Sequence, residues 1–234
     1  MQFIQDKIDV FKNLHIPEFF GIDYYDEICP VVEEWIEALR QCGVTFEWFH
    51  GVSKVACLFP ESEWVVKVPF NGHFSYKWDE KLGDYDFEDS DWIPFVRALG
   101  YEWDYCAVEV DEYKSAKDIG LEVFFAETRK LCDAGGRYPI YIQERVSPCD
   151  STGSNKTPSN KAMRSAKKMN TCRFDLEWVA TAIDCYGEEL VDKFLYYVNE
   201  EYPHIGDDMH AGNYGYRKDG TPCLLDFSDW REED

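Results

Sequence analysis

The chain is 234 residues long, with 46 Asp and Glu against 24 Lys and Arg; its net charge of −22 argues against a broad duplex-DNA-binding face, because neutralising phosphates needs an excess of cations. A hydrophobic content of 45% with 17% aromatics is enough for a substantial core and excludes global disorder. No stretch approaches the roughly 18 apolar residues of a membrane span, and Met1 to Lys12 alternates charged with apolar residues, unlike a signal peptide. One large or two modest domains in the cytoplasm are expected, with no membrane contact. Two readings of the charge stay open: an enzyme with an acidic exterior, or a nucleic-acid mimic that occupies a basic partner's groove. The nine cysteines are scattered singly with no Cys-x-x-Cys, so a zinc knuckle is not expected and the thiols read as reduced.

In chain order, residues 1–43 read as helical, most clearly Val31–Cys42, where Val31, Val32, Trp35, Ile36 and Leu39 recur at helical spacing before Gly43. Thr45–His50, Val55–Phe59 and Trp64–Phe70 are short β-branched and aromatic runs separated by turn residues, a three-stranded antiparallel meander. Residues 77–92 carry seven acids against two lysines and predict an exposed insertion. Asp104–Lys117 predicts a helix, and Ala126–Leu131 and Tyr138–Val146 predict strands joined through Gly135-Gly136. Ser147–Asn170 is rich in Ser, Thr, Asn and Lys and reads as a basic flexible loop. Phe174–Tyr202 predicts two helices broken near Gly187.

The stretch with most chemistry is Asp208-Met-His-Ala-Gly-Asn213, followed by Tyr214-Gly-Tyr216, a turn at Asp219-Gly220 and Cys223 to Phe227. A hairpin turned at Asp219-Gly220 sets Asn213 beside Asp226, with Asp208 at the mouth of the same loop. Three oxygen-bearing side chains then converge, the donor type that hard cations such as Mg²⁺ favour.

These residues resemble the kinase-like superfamily. Asp208-Met-His-Ala-Gly-Asn213 is similar to the catalytic loop of aminoglycoside phosphotransferases, and closer still to that of the early protein kinases of T7-like bacteriophages. Asp226-Phe-Ser228 resembles the metal-binding Asp-Phe-Gly element, Trp64-Val-Val-Lys67 the lysine strand, and Ile140-Tyr-Ile-Gln-Glu-Arg-Val146 the strand entering the adenine hinge. The resemblance, running from residue 45 to 230, implies an α+β, two-lobed protein-kinase-like fold. Its parts are an N-terminal helical segment (1–43), an antiparallel-sheet N-lobe (44–146) with an acidic insertion (71–103), the basic loop (147–170) and a reduced helical C-lobe (171–234).

The resemblance also implies a Mg²⁺- and ATP-dependent kinase, acting on protein Ser/Thr by analogy with the phage enzymes, in the host cytoplasm if phage-encoded. Asp208 is then the base or orienter for the attacking hydroxyl, and Asn213 and Asp226 hold the metal. Lys67 pairs with the phosphates and is steadied by Glu109, with Glu112 the alternative on the same helix. Gly51 and Ser53 form the phosphate turn, with Lys54 adding charge, and Glu144 and Val146 lie at the adenine hinge. Only eight residues follow Asp226, so the peptide-binding subdomain of protein kinases is not expected. Small-molecule phosphorylation, nucleotidyl transfer, a pseudokinase-like binding role and the acidic mimic stay open as alternatives.

Overall fold

Short β-branched and aromatic runs build the first sheet. The strands β2 (Glu47–His50), β3 (Lys54–Leu58) and β4 (Trp64–Pro69) pair antiparallel in that order. Two later strands, β7 (Thr128–Ala134) and β8 (Tyr138–Glu144), complete it in the order β2-β3-β4-β8-β7. The β7–β8 turn uses Gly135 and Gly136 at φ +54° and +79°, and the Arg137 amide donates to the Ala134 carbonyl at 3.2 Å. Two successive positive φ angles match the right-handed twist of the flanking strands, which is why the pair is glycine.

The computed structural model describes residues 2–23, 27–79, 81, 83–94, 104–150, 156–171, 173–201 and 209–228. The protein is a mixed α+β chain that divides into two compact units, Met1–Ala107 with Arg129–Gln143, and Val108–Thr128 with Glu144–Asp234.

The first unit holds the five-stranded sheet, α1 (Gln2–Asn13) and α2 (Pro30–Gln41). α2 starts on Pro30, whose missing N–H costs nothing at a first turn, and ends at Gly43 with φ +75°. It buries Val32, Trp35, Ile36 and Leu39, one face of a 3.6-residue repeat, in a core with Phe20, Phe59 and Ile140. A second sheet orders β1 (Gly21–Ile22), β5 (Gly72–Asp79) and β6 (Asp84–Pro94). The acidic segment 77–92, expected as an exposed insertion, forms part of a β-hairpin with a bulge at Tyr76/Lys77. The alternation of Tyr85 and Phe87 with acids carries a strand signal that the charge obscured.

The helix α3 (Tyr105–Asp118) starts in the first unit and continues in the second. Asp104 caps it: its Oδ1 accepts the Cys106 and Ala107 amides at 3.0 and 3.1 Å.

The second unit is built on α5 (Leu176–Tyr186) and α6 (Glu188–Tyr196), which break at Gly187 with φ +91°. Their apolar faces close over Phe124, Phe125, Tyr214 and Phe227. Within the segment expected as a basic flexible loop, the described residues hold β9 (Ser147–Pro148) and α4 (Asn160–Ala166). Ser159 caps α4 by accepting the Ala162 amide at 3.1 Å, and Ala162 and Ala166 are buried, so two small residues four apart seat the helix. Composition concealed this because the cap and the exposed lysines dominate it.

The strands β10 (Tyr214–Tyr216) and β11 (Pro222–Leu224) form the expected hairpin, and β9 pairs with the other edge of β10. Asp219 shapes the turn, accepting from the Thr221 amide and hydroxyl at 2.9 and 2.7 Å. A side chain at Gly215 would put its Cβ 1.9 Å from the Ser147 carbonyl oxygen. Backbone occupies that space, so Gly215→Ala should destabilise the second unit by at least ~2 kcal/mol in urea melts. Gly51, with nothing near its absent Cβ, should tolerate the same change within about 0.5 kcal/mol.

Candidate active site

Three contacts hold the hairpin in place. The Trp178 indole N–H of α5 donates to the Gly215 carbonyl at 2.9 Å, the Asp175 amide donates to the Tyr214 hydroxyl at 3.0 Å, and the Ala126 amide donates to the Leu224 carbonyl at 2.9 Å. Burial pushes the Tyr214 phenol up to about 12, so it stays neutral at this junction.

The residues leading into the hairpin form a tight loop. The Asn213 amide donates to the His210 carbonyl at 2.8 Å, and the Gly212 amide donates to His210 Nδ1 at 3.1 Å. That bond leaves Nδ1 as the acceptor and the imidazole as a structural clip. A Cβ at position 212 would lie 2.7 Å from the His210 Cε1 carbon, which explains the glycine. The same absent Cβ lies 3.3 Å from an oxygen of Asp150, whose amide donates to the Ala211 carbonyl at 3.2 Å. Asp150 is thus a further carboxylate at this loop, reached through the β9–β10 pairing and invisible to sequence spacing.

Asn213 and Asp226 are brought together. The Asn213 carbonyl accepts the amides of Leu225 and Asp226 at 2.9 and 3.2 Å, and Asn213 is 6% exposed. The Ser228 hydroxyl donates to Asp226 Oδ1 at 3.0 Å, orienting the carboxylate. One amide and one carboxylate side chain at neighbouring positions fit the hard-oxygen preference of Mg²⁺. The described residues contain no cluster of three or more His, Cys, Asp or Glu; the expected set relies on Asn213 and on Asp208. Asp208 lies outside the described residues.

In the first unit, Lys67 sits on β4 opposite Ala56 and is 4% exposed. In the second, Glu109 on α3 is fully buried, whereas Glu112 is half-buried. Gly51 is exposed at the β2–β3 turn, its amide donating to the Lys54 carbonyl at 3.1 Å, and Ser53 is buried with its carbonyl accepting the Phe70 amide at 2.8 Å. Lys54 does not project from this turn. It is 6% exposed and acts electrostatically on Asp104.

Asp104 is the clearest group that sequence reading missed as more than a helix start. Its Oδ2 accepts the Tyr141 hydroxyl at 2.5 Å, so one buried carboxylate ties α3 to β8. Burial raises its pKa, opposed by Tyr141, the two capped amides and Lys54.

Glu144 and Val146 follow β8 into the second unit. The Glu144 amide donates to the Glu127 carbonyl at 2.9 Å, and its Oε1 accepts from Arg217 Nε at 2.8 Å. Arg217 also donates to the carbonyls of Val123 at 2.9 Å, Phe125 at 3.2 Å and Pro222 at 3.4 Å, and to the Tyr186 hydroxyl at 3.2 Å. Val146 is 8% exposed and belongs to the second unit's core.

Among the described residues no thiol stands out as a nucleophile. Burial raises Cys29, Cys57, Cys132, Cys149, Cys185 and Cys223, the opposite of activation. Among the described residues no helix is long and apolar enough to cross a membrane. No protein-family model matches the sequence, and no curated protein matches it.

Two outcomes follow from these contacts. Arg217→Met strands a carboxylate and several carbonyls in a side-chain environment only 17% exposed on the arginine side, and should cost ~3 kcal/mol in urea melts. Glu144→Gln, which keeps an acceptor, should cost less. For Asp104 the folded state binds its proton more tightly than the unfolded state. Its contribution is therefore full below the ordinary carboxylate range and is lost as pH rises through the raised value. Asp104→Asn should accordingly gain stability relative to wild type as pH rises from about 4 to about 7, measured by paired urea melts across that range. A constant difference would contradict the raised pKa.

Proposed function

We propose that this protein is an ATP- and Mg²⁺-dependent phosphotransferase with a protein-kinase-like fold, acting on Ser or Thr hydroxyls of proteins. The first unit is its sheet-bearing lobe and the second its reduced helical lobe. The observation that carries the reading is the Asn213–Asp226 juxtaposition, in which the Asn213 carbonyl accepts the Leu225 and Asp226 amides and Ser228 orients Asp226. Burial of Lys67 and Glu109 supports it, because an ionised side chain is rarely enclosed without a role that needs it there.

Phosphoryl transfer spreads charge over the equatorial oxygens, so positioning and electrostatic compensation do most of the catalysis. Asn213 and Asp226 would hold Mg²⁺, which supplies charge neutralisation on the phosphates when bound. Lys67 would neutralise phosphate oxygens. Asp208 orients the acceptor hydroxyl and takes its proton as the oxygen bonds to the γ-phosphorus and the bond to ADP breaks. Gly51 and Ser53 bring the turn backbone to the phosphates. Val146 offers the purine an apolar contact and Glu144 a polar one, with the Glu144 amide and one carboxylate oxygen already engaged by Glu127 and Arg217.

The experiment is nucleotide binding beside phosphate incorporation. Mg²⁺-ATP at 100 times its Kd should stabilise wild type by ~2.7 kcal/mol, and incubation with cell lysate should give ³²P incorporation. Asp226→Ala should lose both, Asp208→Ala incorporation alone, and Gly51→Ala should weaken nucleotide binding while keeping its melting temperature. A folded wild type showing neither stabilisation nor incorporation would refute the proposal.

A further inference from the structure

The second unit carries a face whose charge opposes that of the chain. Lys161, Arg164, Lys167 and Lys168 on α4 and its last turn are all exposed, and none meets a carboxylate among the described residues. Four basic side chains elsewhere find acids three residues away, in Lys12–Asp9, Arg40–Glu37, Lys114–Asp111 and Lys130–Asp133. On α4 the residues three before and three and four after Arg164 are Lys161, Lys167 and Lys168. Like charges at these spacings oppose helix formation.

The nearby acids Asp184 and Glu188 are bonded to serines and form no ion pair with these cations among the described residues. Asp184 accepts the Ser159 amide and hydroxyl at 2.5 and 2.8 Å, and Glu188 accepts the Ser165 hydroxyl at 2.8 Å. These bonds, with buried Ala162 and Ala166, fix α4 on α5 and α6 and direct the cations to solvent. The strand β9 that precedes this segment pairs with β10, and Asp150 bonds the Ala211 carbonyl of the candidate catalytic loop. The face therefore belongs to the same unit as Asn213 and Asp226.

We infer that this face of α4 docks an acidic stretch of the substrate polypeptide, so that the enzyme prefers Ser or Thr near Asp and Glu. The inference rests on the phosphotransferase reading for its consequence, though not for the binding itself. Lys161 to Lys168 span roughly 10 Å along the helix axis, the length of about three extended residues. A short acidic peptide meets the four cations within about one Debye length, whereas a long polyanion also meets the field of a chain with net charge −22.

The test uses the full chain and two fluorescent peptides, a serine flanked by glutamates and its glutamine counterpart. Anisotropy should show the glutamate peptide binding wild type ~10-fold tighter, a preference shrinking between about 50 and about 300 mM salt. A variant combining Lys161→Gln, Arg164→Gln, Lys167→Gln and Lys168→Gln should lose the preference while keeping its circular dichroism and melting temperature. Lys114→Gln should retain it. Equal binding of both peptides, or an undiminished preference in the fourfold variant, overturns the inference. So does tighter binding of a single-stranded oligonucleotide of equal charge, which would assign the face to nucleic acid. Phosphate incorporation is read separately: acidic-peptide binding without phosphorylation supports the docking face and counts against phosphotransfer. Phosphorylation indifferent to flanking glutamates does the reverse.

Discussion

The Arg217 guanidinium is the contact on which the arrangement of the second unit depends. Its fork reaches Glu144 at the end of β8, the carbonyls of Val123 and Phe125 around the turn after α3, the Tyr186 hydroxyl at the end of α5, and Pro222 in β11. Burial of Phe124, Phe194 and Trp178 supplies the driving force for these segments to meet, but apolar burial is non-directional and does not set their register. A planar group with five donors in fixed directions does. Arg217 lies in the β10–β11 turn, at the far end of the hairpin from Asn213 and Asp226. Anchoring that end, with Trp178 on Gly215, fixes the other end, where Asn213 and Asp226 lie side by side.

The first unit shows a related constraint, a buried charge held by directed bonds. Asp104 takes two helix amides and the Tyr141 hydroxyl, with Lys54 acting on it electrostatically. Enclosing a carboxylate costs several kcal/mol unless such partners are supplied, and here they also fix where α3 begins. The position of Glu109 along α3 follows from that cap, since helix geometry sets every later residue once the first turn is anchored. Lys67 is likewise enclosed on β4, flanked by Val65, Val66 and Val68.

How much of this was legible in the sequence depends on the range of the interaction. α2, the β2–β3–β4 meander and the Gly187 break rest on local periodicity and glycine, and all are present. The pairing of Asn213 with Asp226 was readable because Asp219-Gly220 specifies a tight turn and turn geometry sets hairpin register. The β5–β6 hairpin was hidden because acids mask its alternation, and α4 because its seat is only two alanines. Arg217 with Glu144 and Asp104 with Tyr141 were not readable at all. Their partners lie 73 and 37 positions apart, and no local rule pairs them. Ser228 was visible only as a departure from glycine; its bond to Asp226 gives the hydroxyl a function at that position.

The distribution of charge bears on what the acidity is for. A nucleic-acid mimic needs a continuous anionic surface, because its partner reads a regular line of negative charge. The second unit interrupts any such line with the cations of α4, set at the spacing where they repel one another. Asp184 and Glu188 hold the helix through serine hydroxyls rather than through its cations. A face that accepts local repulsion while nearby acids are bound elsewhere is stabilised when an anion arrives, and the gain appears as binding free energy. Selection for solubility would interleave the two signs, as the surface pairs of α1, α2 and α3 do. The net charge thus sets the background for the acidic docking proposed for this one basic face.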